Sequence, residues 1–138
     1  MSQIELTVPE GALTEEGAAS IQQDLARALL TWEGAPDREI FRSLLWSSLH
    51  VLPAGALVTA ADDAPRFRVD VTVPFGVLDD ERRAGLVREA TDLVLAAAGL
   101  GADQALRVWV LIHEQPDGTW GAGGKIMRYT EVAGLATD

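Results

Sequence analysis

The chain contains no cysteine. Disulfides, thiolate nucleophiles and cysteine-based metal sites are therefore excluded. Histidine is scarce, at two residues, so imidazole-rich metal sites have little to draw on. Basic side chains are few, 11 against 21 acidic ones, for a formal charge of -10. A field of that sign repels phosphate backbones and anionic lipid, so neither nucleic acid nor a membrane surface is expected as a partner. No uncharged apolar run is long enough to span a bilayer. The opening MSQIELTV lacks a basic segment followed by an apolar stretch, so no secretory signal is expected and a cytoplasmic location is the simplest expectation.

What is present is a chain of 138 residues, 48% apolar. That suits one compact domain over 1–138, in which roughly two-thirds of the unfolded surface could be buried. The chain also repeats itself. Residues 5–34 align with 70–99 without a gap. Thr7, Val8, Pro9, Gly11 and Leu13 recur as Thr72, Val73, Pro74, Gly76 and Leu78. Glu16, Ala19, Leu30 and Gly34 recur as Glu81, Ala84, Leu95 and Gly99. HVLPAG at 50–55 echoes HEQPDG at 113–118, so the repeat extends over about 2–57 and 66–124.

Each half follows one order. Ile4, Leu6 and Val8 alternate with polar residues, as a half-buried strand requires. Pro9 and Gly11 break the strand. Thr14 is placed to cap a helix, with Glu15 and Glu16 in its first turn. Ile21, Leu25, Ala28, Leu29 and Trp32 fall on one helical face, and Gly34 ends it. The second half repeats this with Phe67, Val69, Val71 and Val73 on one strand face. Asp79 caps a helix striped by Leu86, Ala90, Leu93, Val94 and Ala97. LLWSSLHV at 44–51 and RVWVLIH at 107–113 read as the closing strands, and REIFR before the first as a helical turn or an extended connection.

The fold expected is α+β, an α/β sandwich. Two tandem β-α-β units join in one mixed four-stranded sheet with both helices on one face. RVWVLIH is apolar on both faces, with Trp109 and Leu111 opposite Val108, Val110 and Ile112. Either copies of the chain cover the helix-free face or the C-terminal segment folds back over it.

Candidate chemistry is sparse. Pro9 and Pro74 suit strand ends. GTWGAGG at 118–124 permits tight turns but lacks the spacing of a phosphate loop. Trp120 within it suits either a ligand wall or a packing contact. Arg107 suits a carboxylate clamp or a charge at a strand edge. Arg66 and Arg68 share one side of a strand, which suits an anion site but which solvent-facing alternation explains without one. His50 and His113 recur at equivalent points, as structural hydrogen-bonding residues rather than metal ligands; no cofactor and no metal is expected. Glu114, beside His113, has the chemistry of a base. Its counterpart in the first half is Val51.

IELTVPEGALTEE, VDVTVPFGVLDDE and RVWVLIHEQPDGTWGAGG together resemble the tautomerase superfamily over nearly the whole chain. The resemblance implies fused β-α-β units that assemble as a homotrimer, equivalent to six single units in shorter relatives. It implies proton transfer through an enol or dienol on a small carboxylic acid. In that family an N-terminal proline, exposed by loss of the initiator methionine, supplies the amine. Here Ser2 stands in its place and would supply a primary amine once Met1 is removed. Arg107 matches the family's substrate-binding arginine, and Trp120 its pocket aromatic. Ala12 and Val77 stand where an arginine often follows the first strand. The sets that mark the dehalogenase branch are not recognisable. The resemblance thus implies a divergent enol–keto catalyst with Ser2 and Arg107 as catalytic residues and Trp120, Glu114 and His113 around the substrate. Its counterpart reading is a non-catalytic trimer that binds a small ligand or a protein.

Overall fold

A computed structural model describes residues 1–135. In chain order these form β1 (Ser2–Pro9), α1 (Glu15–Glu33), α2 (Glu39–Ser43), β2 (Leu45–Leu52), β3 (Phe67–Pro74) and α3 (Asp80–Ala97). A 3-10 turn (Ala102–Arg107) leads into β4 (Val108–Gln115), followed by the short strands β5 (Gly121–Ala122) and β6 (Lys125–Ile126) and by α4 (Tyr129–Gly134). The REIFR stretch resolves as helix.

The four long strands make one mixed sheet in the order β2-β1-β3-β4. β1 runs parallel to β2, β3 parallel to β4, and β1 antiparallel to β3. Each repeat is thus one β-α-β unit, and the two meet across the antiparallel seam. That relation is a pseudo-twofold, so equivalent strand ends fall at opposite ends of the sheet.

The caps fall where the residue chemistry places them. Thr14 accepts from the Gly17 amide and Asp79 from the Arg82 amide, each meeting an amide that the helix leaves open. Gly34 closes α1 in the left-handed conformation at φ 71°. Four strands run into the same turn. The amides of Ala12, Ala56, Val77 and Thr119 donate to the carbonyls of Pro9, Pro53, Pro74 and Pro116. The third residue of each turn is a glycine with φ between 77° and 86°, a region closed to most side chains. This is the structural reason for the repeated proline–glycine words: every long strand must stop and reverse at a defined point.

Ile4, Leu6, Val8, Phe67, Val69, Val71 and Val73 point toward the helices and are essentially excluded from solvent. They pack on Ile21, Leu25 and Leu29 of α1 and on Leu86, Ala90 and Val94 of α3. Among the described residues, the opposite sheet face carries no helix. Trp46 and Trp109, equivalent in the repeat, stand on it at 74% and 68% exposure. The described part of the C-terminal segment therefore does not fold over this face. No helix of the described residues is long and apolar enough to cross a membrane.

Candidate functional site

Ser2 opens β1 opposite Leu45 and is buried, with 3% of its surface exposed. Its amide donates to the Leu44 carbonyl at 3.2 Å, and its hydroxyl donates to Glu33 Oε1 at 2.8 Å. Ser2 borders a cavity of about 440 Å³ with Met1, Leu44, Trp46 and Trp120. Trp120 is carried there by the hairpin of β5 and β6, where the Met127 amide donates to the Trp120 carbonyl. The wall is thus aromatic and glycine-rich, and its one buried polar corner is the head of β1.

Glu33 was not singled out by sequence reasoning. It is the last residue of α1, and burial pushes its carboxyl above the ordinary value. The Ser2 hydrogen bond and the nearby α-amine pull it back, less strongly. The Met1 α-amine shows the reciprocal pattern: burial lowers it, and the Glu33 carboxylate opposes that fall. One signal pointed to Glu33. The repeat places Ala98 at the equivalent position, so the first half alone keeps a charged residue before its helix-ending glycine.

Arg107 does not border this cavity within the chain. It precedes β4, whose first residue pairs with Phe67, and the antiparallel seam puts that end roughly 20 Å along the sheet from Ser2. Arg107 lies in a second cavity of about 620 Å³ with Arg66, Phe67, Arg68 and Trp109. Arg66 is ion-paired with Asp62 at 3.1 Å and Arg68 with Asp70 at 2.8 Å. Arg107 hydrogen-bonds only neutral groups there, Gln104 Oε1 at 2.6 Å and the Pro65 carbonyl at 3.5 Å. Among the described residues, Arg107 is thus the one arginine of this hollow without a recorded carboxylate partner.

His113 and Glu114 lie at Ser2's end of the sheet but on β4, which β3 separates from β1, and neither borders the Ser2 cavity. His113 lies on the helix-free face with Nε2 2.9 Å from Asp70 Oδ1. Glu114 points toward α3 and pairs with Arg83 at 3.2 Å. His50 sits on the far edge strand, 3.4 Å from Glu5. The Ser48 hydroxyl lies 3.1 Å from the same His50 Nε2 that faces Glu5. A serine–histidine–carboxylate relay needs both ring nitrogens, one on each partner, so this trio is not one. Among the described residues no group of three histidine, aspartate or glutamate side chains is placed to hold a metal.

The family model described as Tautomerase enzyme matches residues 68–128, the second unit up to the start of α4. The solved structures extend the likeness to both units. The crystal structure of Pt0534 inactivated by 2-oxo-3-pentynoate matches with a TM-score of 0.76 and 21% identity, over 95% of this chain and 97% of that one. The Q0 fused 4-OT wild-type symmetric trimer gives a TM-score of 0.76 at 18% identity, over 94% and 98%. N1, a member of the cis-3-chloroacrylic acid dehalogenase family, gives 0.76 at 22%, over 98% and 91%. No curated protein matches the sequence significantly. The chain has the tautomerase-superfamily fold in its doubled, two-unit form, with serine rather than proline at position 2.

Proposed function

We propose that this protein moves a proton on a small enol or keto carboxylic acid, at a site headed by Ser2 and completed by a neighbouring copy. The observation that carries this reading is the cavity joining the buried head of β1 to Trp120. Removal of Met1 would leave the Ser2 amine at the polar corner of an aromatic pocket. Burial there lowers an amine's proton affinity, which is what a base working near neutrality needs. Arg107 is the remaining member. Its side chain lines a hollow that it shares with Arg66 and Arg68 and that no acidic side chain lines, so it suits a substrate carboxylate. Because one chain holds Ser2 and Arg107 at opposite ends of its sheet, the two meet only if copies assemble. A homotrimer would bring one copy's Arg107 to another's Ser2, and the uncovered sheet face with Trp46 and Trp109 supplies the apolar surface for it.

Ketonisation of phenylenolpyruvate, followed by ultraviolet absorbance against buffer and heat-denatured protein, tests the reading. Saturable acceleration of about a hundredfold or more is expected, the size of a positioned acid–base contribution. Acceleration no greater than with denatured protein would move the reading to the alternative, a trimer that binds a small acid without turning it over. Serine at position 2, with Ala12 and Val77 after the strand turns, favours that alternative.

A further inference from the structure

We propose that the hollow headed by Phe67 is a second binding site, which takes a small carboxylate with an apolar body and does not turn it over. This site stands apart from the reading of Ser2 and needs no turnover there. The Ser2 cavity is lined by residues 1–3, 44, 46 and 120–123. The Phe67 hollow is lined by 66–68, 107, 109 and 57–60, with Leu106 added. Position by position, these are equivalents in the repeat. Phe67 opens β3 as Ser2 opens β1, and Arg107 precedes β4 as Leu44 precedes β2. Leu57 follows the turn at Pro53 as Trp120 follows the turn at Pro116. The pseudo-twofold thus builds one pocket twice.

The two pockets differ in the chemistry of their linings. Met1, Gln3 and Leu44 have uncharged side chains, and their counterparts are Arg66, Arg68 and Arg107. Ser2 stands beside the chain terminus, whereas Phe67 lies mid-chain and is buried, at 2% exposure. Its nitrogen is an amide without a basic lone pair. No carboxylate, imidazole or amine lines the hollow. Arginine donates hydrogen bonds and accepts none. An acid bound there meets cations but no base, so it is held and not converted.

The walls are fixed by hydrogen bonds of their own. The Thr59 amide donates to the Asp62 carbonyl at 2.9 Å, and the Thr59 hydroxyl accepts the Ala61 and Asp62 amides at 3.1 and 3.0 Å. Arg107 is placed by Gln104 Oε1 at 2.6 Å and by the Pro65 carbonyl at 3.5 Å. Arg68 spends its Nε on Asp70 at 2.8 Å. Asp62 and Asp70 hold Arg66 and Arg68 from outside the lining. A few fixed cations in an otherwise apolar concave wall are the make-up of a small-molecule site. The planar fork of a guanidinium fits a carboxylate, and Leu57, Leu106 and Trp109 suit an apolar or aromatic remainder. In the proposed trimer Arg107 also serves a neighbour's Ser2 cavity, so each pocket must be read through residues the two do not share.

Photolabelling of the full chain with 4-benzoylbenzoate, mapped by mass spectrometry of its peptides, tests this. Label is expected within residues 57–60, which only the hollow carries. Excess benzoate should lower that label about tenfold, and the methyl ester of the probe should label about tenfold less, since it lacks the charge that the arginines bind. Val58 is 57% exposed, so it can be changed without disturbing the core. Val58→Glu supplies the hollow with an anion of its own and should cut the label about tenfold by like-charge repulsion. Val58→Gln, of the same size without the charge, should keep most of it. No label at 57–60, ester labelling equal to that of the acid, or equal labelling of the two Val58 variants would overturn the proposal. Label at 57–60 without any enol turnover would retain this site and remove the catalytic reading of Ser2. Turnover without label at 57–60 would do the reverse.

Discussion

His113 Nε2 and Asp70 Oδ1 lie 2.9 Å apart on the helix-free face of the sheet, across the parallel β3–β4 pair. Burial alone would raise the Asp70 carboxyl, but hydrogen bonds from His113 and Arg68 outweigh it and hold the group below the ordinary aspartate value. The sign follows. A carboxylate with a depressed value when folded adds stability that is complete above its unfolded value and is lost as pH falls through the folded one. Asp70→Asn should therefore lower the thermal midpoint at neutral pH, and the gap from wild type should close in acid below the ordinary aspartate range. A gap that stays constant down to that range would show that the charge is not what stabilises.

The α1–α3 contact depends on a missing side chain. A methyl group at Gly85 would overlap the six-membered ring of Trp32. Alanine is favoured over glycine within a helix by about 1 kcal/mol, whereas overpacking a filled site costs about 1–3 kcal/mol. The clash should win. Gly85→Ala is expected to lower unfolding free energy in urea, and Gly85→Ala combined with Trp32→Leu should recover most of the loss.

Separation of Ser2 and Arg107 within one chain leads to a complementation experiment. Arg107→Ala should lose most turnover and weaken binding of a small carboxylate. Ser2→Leu, whose bulk blocks removal of Met1, should lose turnover through the other half of the site. Co-expressed in equal amounts, the two should regain activity at about one quarter of the sites, because random assembly pairs an intact Ser2 with an intact Arg107 that often. Recovery absent from mixed assemblies of the right mass would show that the two residues do not share a site across copies.

Trp109 offers the simplest probe of assembly. Trp109→Glu should leave the fold intact, since the side chain is 68% exposed in the single chain. Its sedimentation at micromolar concentration should shift from trimer toward monomer. An unshifted trimer would place the contact elsewhere.

Much of this architecture is written along the chain. Period-two alternation in Ile4, Leu6 and Val8 and in Phe67 to Val73 sets which strand face is buried, because a pleated strand turns every second side chain the same way. Thr14, Asp79 and Gly34 mark helix ends through local hydrogen bonding and backbone sterics, which neighbouring residues alone decide. The proline–glycine words fix four turns for the same reason. The duplication itself foretells one sheet built from two like units.

What sequence could not settle was which residues share a site. Ser2, Arg107, Trp120, His113 and Glu114 are all legible as chemistry, yet only Ser2 and Trp120 border one cavity within the chain. For Arg107 the cause is the antiparallel seam between β1 and β3, which sends equivalent strand ends to opposite ends of the sheet; for His113 and Glu114 it is strand order, since β3 lies between β1 and β4. Glu33 escaped notice because it looks like any acidic residue at a helix end. Its burial and its reach to Ser2 depend on how α1 packs over β1, and no local pattern encodes that. Local periodicity and turn chemistry thus determined the elements and their order. Long-range packing alone decided which charge meets which, because those distances depend on strand order rather than on separation along the chain.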